Sequence, residues 1–392
     1  MSEHSFSEVT EHGWLGRITE SLKSVVVGII LFIVAFPVLW WNEGNSVETY
    51  KSLKEGATSV VSIAADKVDE ANDGKLVHMS GDAETTDRLQ DPTFLVEENA
   101  IRLSRNVEMY QWTERQESKK NKKVGGKEET VTTYTYAKEW KNSAVSSSSF
   151  KKPEGHENPG SMPYADDSWI AGKVTLGAFE LSDDLKGAIS KSETVRYTAQ
   201  LHDRLPPPLK SKSQVYGEAL YIGSNPGSPE VGDVRITFTK VPQGKVSLFS
   251  QQSGNTFQPY QTKAGKALER LQMGTVSAAQ MFEQAQQENV VFTWILRIIG
   301  FILMFAGVSM VFRPIAVVAD VVPIVGDILR MGFGIVAFAV AAPLTLVTIA
   351  IAWLVYRPVL GVALLLIASG IIVGIKMLAT KRKKAAAPAS AY

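Results

Sequence analysis

The chain has no cysteine. That excludes structural disulfides, thiolate metal sites and a cysteine nucleophile, although it selects no compartment. An excess of one charge is also missing. Lys and Arg number 41 against 40 Asp and Glu, for a formal net charge of +1. Near-neutrality removes the electrostatic case for a general nucleic-acid binder. Histidine is scarce: His4, His12, His78, His156 and His202 are the full set. None pair at metal-ligand spacing, and there is no H-E-x-x-H motif. A P-loop, a dinucleotide-binding fingerprint and a G-x-S-x-G elbow are missing as well. These absences point away from an enzyme. They assign no catalytic residue, no metal and no cofactor.

Apolar residues are concentrated at the two ends of the chain, with a polar middle. Ser24 to Trp41 carries no charge and closes on two tryptophans, as a membrane span does at the headgroup level. No small-residue cleavage site follows it, so it reads as an anchor and not a signal peptide. A second run covers 290–312, interrupted by Arg297 near one end, where an arginine can snorkel to the interface. A third covers 331–356 and a fourth 358–375. Between the second and third, residues 313–330 are apolar but contain Asp320 and Asp327 and are broken by Pro314 and Pro323. Two carboxylates facing lipid are costly. This segment reads as interfacial, with a re-entrant element and a cytosolic linker as alternatives.

Four spans follow, one amino-terminal and three carboxy-terminal. The tail, 376–392, opens with Lys376 and then Lys381 to Lys384, which puts it in the cytoplasm. An even number of spans returns residues 1–23 to the same side. Residues 45–289 then form one large domain on the other side. In a bacterium this is a periplasmic domain on the inner membrane; in an endomembrane it is lumenal.

The pattern of that domain is mixed. Val60–Ile63 and Leu76–Ser80 read as strands. Asp233–Lys240 alternates, with Val234, Ile236 and Phe238 on one face. Ile101–Trp112 alternates except near Ser104–Asn106, which suggests a bulge. Residues 107–140 read as a two-stranded arm with a solvated tip around Gly125-Gly126. Tyr134, Tyr136 and Trp140 share one face of it, as core or as a partner surface. Leu181–Ala188 reads as a short helix capped by Ser182, and 262–289 as two helices. The predicted fold class is therefore an α+β membrane protein: four transmembrane helices and a large sheet-rich extramembrane domain.

Certain segments resemble a known family. They are Trp40-Trp41-Asn42-Glu43-Gly44-Asn45-Ser46-Val47 after the first span, Arg105 to Trp112 with the Tyr134/Tyr136/Trp140 strand, and Glu288 to Arg297 at the second span. The chain resembles the transmembrane protein 43 family, also called LUMA, and reads as a bacterial member. The resemblance implies one amino-terminal span, a large lumenal domain and three carboxy-terminal spans. It also implies self-association and the organising of membrane protein complexes. In animals it implies the endoplasmic reticulum and inner nuclear membrane, with emerin and lamins as partners; in a bacterium those partners are not expected.

Candidate structural or interface residues are Trp41, Asn42, Glu43, Gly44, Trp294, Arg297, Asp320 and Asp327. Glu43 and Arg297 both lie near the outer interface, where a desolvated pair would fix the first span against the second. The bland alternative is that Glu43 marks the water boundary. Gly44 would permit a change of direction. Asp320 and Asp327 are two helical turns apart, and Asp327 pairs locally with Arg330. Gly28, Gly300, Gly307, Gly361 and Gly370 are places for close helix approach. The expected function is a non-enzymatic, self-associating membrane protein whose outer domain binds other membrane or envelope proteins. Membrane lipids are further partners, and nucleic acid is not. A channel or transporter and a lipid-handling outer domain are the alternatives.

Overall fold

The fold is taken from a computed structural model that describes residues 5–359 and 361–363. Contacts divide it into two compact units. The first comprises residues 5–11, 52–121 and 129–285; the second comprises 12–51, 122–128 and the residues from 286 on.

Nine strands carry most of the first unit: β1 (Ser5–His12), β2 (Leu76–Glu84), β3 (Arg102–Lys122), β4 (Glu128–Lys141), β5 (Ser213–Tyr216), β6 (Ala219–Ile222), β7 (Val234–Val241), β8 (Gly244–Ser253) and β9 (Arg270–Met273). The larger sheet runs β1-β4-β3-β7-β6-β5, with two short strands paired to β3 and β7. The smaller is built on the antiparallel pair β2 and β8, with β9 on the other side of β8. One core lies against both. Val77, Met79, Val246 and Leu248 come from the smaller sheet, and Leu103, Val107, Ile236 and Phe238 from the larger. Val234, Ile236 and Phe238 are buried on alternate positions of β7, as their spacing requires.

Two expectations for this unit change. From Arg102 to Met109 β3 pairs with β7 without a bulge, and Val107 stands opposite Ile236 in register. The alternation is intact, but Arg105 occupies one of its inward positions. Its guanidinium meets the fully buried Asp91 at 2.7 Å and lies between the rings of Phe94 and Trp169. A charge that is paired and ring-covered can take a core position, which hydropathy alone reads as a break. Residues 262–289 do not form two helices either. Leu271 and Met273 alternate along β9, opposite Leu248 and Val246, and the helix begins only at Ala278. The short helix Asp183–Ala188 does form, and the N–H of Leu185 donates to the Ser182 hydroxyl.

Three long helices dominate the second unit: α1 (Trp14–Ser59), α2 (Ala278–Ala319) and α3 (Pro323–Tyr356). The last turns of α1 and the first turns of α2 belong to the first unit. There Leu53, Phe282 and Leu268 share a cluster, and Phe282 stacks on Phe249 at 4.4 Å between ring centres. In the second unit α1 and α2 approach closely at Gly28 and Gly307. A Cβ on either would lie 2.7 Å from the other's carbonyl oxygen, so the crossing requires glycine on both helices.

The expectation of four spans is corrected to three candidates. Among the described residues, α1, α2 and α3 are the helices long and apolar enough to cross a membrane. Most of 358–375, and Gly370 with it, lies outside the described residues. Residues 313–330 are not a separate segment. α2 continues through Pro314 to Ala319, a break of three residues follows, and α3 begins at Pro323. The two prolines that suggested an irregular stretch are absorbed differently, one inside a helix and one at a helix start, where proline is tolerated.

Candidate functional site

Two polar clusters stand out in the second unit, one toward each end of the α1 crossing. The first is built on Asn42, Glu43 and Ser46. All three are buried on α1, which continues as unbroken helix through Gly44. Gly44 serves another purpose: a Cβ at that position would lie 2.7 Å from the Tyr356 ring. Glu43 is fully buried and accepts two hydrogen bonds from Arg297 of α2, at 2.6 Å from Nε and 2.9 Å from Nη2. The indole N–H of Trp353, on α3, donates to the same carboxylate at 2.7 Å. The Arg297 guanidinium lies over the rings of Trp294 and Trp353, at 4.8 and 5.5 Å from their centres. One carboxylate thus ties all three helices together. A planar bidentate pair between aromatic faces is a favourable setting for a buried arginine.

Polar bonds extend this cluster along the α1–α2 seam. Asn42 donates to the Thr293 carbonyl at 3.0 Å, and Asn289 to the Ser46 carbonyl at 3.0 Å. The Thr293 hydroxyl donates to Ser46 Oγ at 2.8 Å. Trp41 takes no part in this and is exposed on the helix surface.

The second cluster centres on Asp320, fully buried in the α2–α3 joint. Arg17 of α1 donates to its Oδ2 at 2.5 Å, and Arg330 of α3 donates to both of its oxygens. Lys122 stands 3.7 Å from Asp320 and 2.5 Å from Asp327. Arg330 also reaches Asp327 at 3.0 Å, and Arg17 reaches Glu128 at 3.3 Å. Three cations therefore balance three carboxylates. Burial pushes the Asp320 carboxyl above the usual carboxylate range, against the pull of Arg17. A Cβ on Gly326 would strike Asp320 Oδ1, so the joint closes this tightly only over glycine.

Lys122 to Glu128 is the tip of the β3–β4 hairpin, expected to be solvated. It is instead held to the helices. Arg17 Nη1 donates to the Gly126 carbonyl at 2.7 Å, and the Gly125 N–H to the Val321 carbonyl at 3.1 Å. Gly126 has φ +77°, and a Cβ there would strike the Trp14 ring, so conformation and space both require glycine. The charge-derived sidedness put this tip and Arg17 on opposite faces of the membrane; these contacts put them together.

The sequence named Trp41, Asn42, Glu43, Gly44, Trp294, Arg297, Asp320 and Asp327. The structure gathers Asn42, Glu43, Trp294 and Arg297 into one cluster and Asp320 and Asp327 into another, sets Gly44 against Tyr356 and leaves Trp41 exposed. Arg17, Lys122, Glu128 and Trp353 were missed. No local signal distinguishes the first three from ordinary solvated charges, whereas Trp353, an indole close to the end of an apolar run, was available as a belt residue.

Elsewhere, the aromatic stripe is largely internal to the base of the arm. Tyr136 and Trp112 are buried with Phe150, and Tyr136 stacks on His156 at 4.0 Å. The Tyr136 hydroxyl donates to Glu114 at 2.7 Å. Burial, then that hydrogen bond, pushes its phenol up to about 12. Among the described residues no group of three His, Cys, Asp or Glu side chains is placed to hold a metal ion.

The family model for Transmembrane protein 43 matches residues 109–358. Transmembrane protein 43 of Rattus norvegicus is 34% identical over 357 residues, covering 88% of each chain. That of Homo sapiens is 33% identical over 360 residues, covering 89% of this chain and 88% of its own. The Drosophila melanogaster homolog is 28% identical over 367 residues, covering 90% and 95%. No solved structure matches. These relatives are animal proteins, which overturns the expectation of a bacterial member. The inner-membrane location and the periplasmic domain fall with it. A family match over more than half of the sequence, with relatives above 30% identity along most of it, gives the assignment: the chain belongs to the transmembrane protein 43 family.

Proposed function

We propose that this multi-pass membrane protein associates with itself and organises other membrane proteins through its large extramembrane domain. The observation that carries this reading is how the polar groups of the membrane unit are used. Glu43 and Arg297 neutralise each other, and Asp320 and Asp327 are matched by Arg17, Lys122 and Arg330. These carboxylates brace helices, whereas a permeation path needs polar groups directed at an ion or substrate. The outward faces of the helices are apolar, with Val26, Ile30 and Ile33 on α1 and Ile335 and Val347 on α3 exposed. Such faces suit lipid or a second copy of the chain.

The test is the mass of the complex extracted into nanodiscs, with co-purifying proteins identified in the same sample. A discrete homo-oligomer or a reproducible partner is expected. A monomer without partners across several gentle extractions would overturn the reading.

A further inference from the structure

A groove of about 370 Å³ lies between α2 and α3, entirely within the membrane unit. Its walls include Phe301 on α2 and Ala342, Leu346 and Ile349 on α3, and Arg297 and Trp353 line it as well. Apart from Arg297 and Thr345 the lining is apolar or aromatic, and the Thr345 hydroxyl is turned to the Met304 sulfur at 3.7 Å. From Trp294 to Phe301 the α2 wall rises about 10 Å, and from Ala342 to Trp353 the α3 wall rises about 16 Å, at 1.5 Å per residue. A hydrocarbon core is about 30 Å thick. The groove therefore has the length of one leaflet, beginning at the tryptophans and ending near mid-span.

Its polar end is chemically specific. Arg297 uses Nε and Nη2 on Glu43. Among the described residues its Nη1 has no hydrogen-bond partner, and the side chain is 14% exposed. A guanidinium held from one side presents its remaining donors in a fixed direction. The Trp353 N–H is already committed to Glu43, so Nη1 is the donor left at the groove mouth. Water is a poor occupant of an apolar slot between spanning helices. The surrounding medium supplies an amphiphile of the right shape: an acyl chain joined to a phosphate at headgroup depth.

We propose that this groove is a phospholipid site, with one acyl chain lying between α2 and α3 and the lipid phosphate accepting a hydrogen bond from Arg297 Nη1. The site does not depend on self-association. A bound chain would fill the slot that α2 and α3 leave open below the Glu43 cluster, and phosphate is the acceptor that a half-used guanidinium favours.

The test uses the full chain in nanodiscs of phosphatidylcholine containing a small fraction of phosphatidylcholine with a diazirine on one acyl chain. A parallel sample carries the same diazirine on diacylglycerol, which lacks the phosphate. Crosslinks mapped by peptide mass spectrometry are expected to concentrate on the groove segments of α2 and α3, with diacylglycerol labelling these about tenfold less, the equivalent of about 1.4 kcal/mol. Ala342→Trp and Leu346→Trp each fill the groove and leave Glu43 and Arg297 untouched. Both are expected to lose the groove crosslinks while labelling elsewhere persists. Gel filtration and far-UV circular dichroism report the fold of each, so one variant decides if the other misfolds. Even labelling over all outward faces, unchanged labelling in a folded groove-filled variant, or equal labelling by diacylglycerol would overturn the site.

Discussion

The Glu43 cluster and the Asp320 cluster meet the same helix at Glu43 and at Arg17, about 39 Å apart along α1 at 1.5 Å per residue. The first is small. One carboxylate, one guanidinium and an indole N–H join three helices, and two aromatic rings cover the charge. The second is a network of six charges, two of them from a hairpin tip far away in sequence. Both are neutral overall, but they solve different problems. Glu43 fixes how three spans pack. Asp320 fixes the joint between two spans and attaches a strand-built element to it. Aromatic cover does for the first pair what additional partners do for the second: each keeps a buried charge from being left alone.

The largest test of this contrast is all-or-none. The absence of cysteine makes single introduced thiols clean reporters. Val124→Cys in the hairpin tip and Leu15→Cys at the start of α1 are both exposed positions. In sealed vesicles a membrane-impermeant maleimide is expected to label the two from the same side. Labelling from opposite sides would break the Asp320 cluster as described.

Next in size is removal of the central carboxylates. Asp320→Ala leaves Arg17, Arg330 and Lys122 with too few partners, at a cost of about 3–5 kcal/mol in unfolding measurements. Glu43→Ala also strips a partner from a buried arginine, but the rings over Arg297 remain, so the loss is expected nearer the lower end of that range. Equal losses would remove the distinction between aromatic cover and network. Exchanging the Glu43 and Arg297 charges is expected to recover part of the assembly lost in either single variant; no recovery would mean the pair is not the interaction that matters.

Gly307→Ala, at the α1–α2 crossing, is expected to cost about 1–3 kcal/mol through overpacking, read as a lower melting temperature. The smallest effect is Tyr136→Phe in the arm, about 1 kcal/mol for one hydrogen bond. Its signature is a pH dependence. The folded phenol sits near 12, above its ordinary 10.0, so the neutral form is favoured by folding. That contribution is fully present below about pH 10 and is lost as pH rises toward 12. A stability-against-pH series should show a steeper alkaline limb in the native chain than in the variant, where Tyr197 and Tyr221, raised by burial as well, still titrate.

Periodicity and hydropathy expose only what is local. The alternation of Val234, Ile236 and Phe238, the Ser182 cap, the two-stranded arm and the apolar runs were all readable, because each is set by neighbours within a few residues. Arg105 misled the reading because its partner, Asp91, lies on another segment. Leu271 and Met273 misled it because a spacing of two or three suits a strand or a helix, and pairing with β8 decides between them. Glu43 and Arg297 were legible because both stand beside aromatic residues at the edges of apolar runs, where a charge has few other uses. Arg17, Lys122 and Glu128 were not, because a charge in a polar stretch looks solvated until its partner is placed.

By itself, then, the sequence determined that this is a membrane protein with apolar helices at its ends and a strand-rich polar domain between them, and that it has no thiol. Burial of apolar surface along short stretches is enough to dictate that much. The tertiary structure alone decided which charges meet, that α1 continues unbroken through Pro37 and Gly44, and that the glycine hairpin tip closes on Arg17 and the α2–α3 joint. Those outcomes depend on the mutual desolvation of residues more than a hundred positions apart, and a charge has no preference for a distant partner until the fold removes its water.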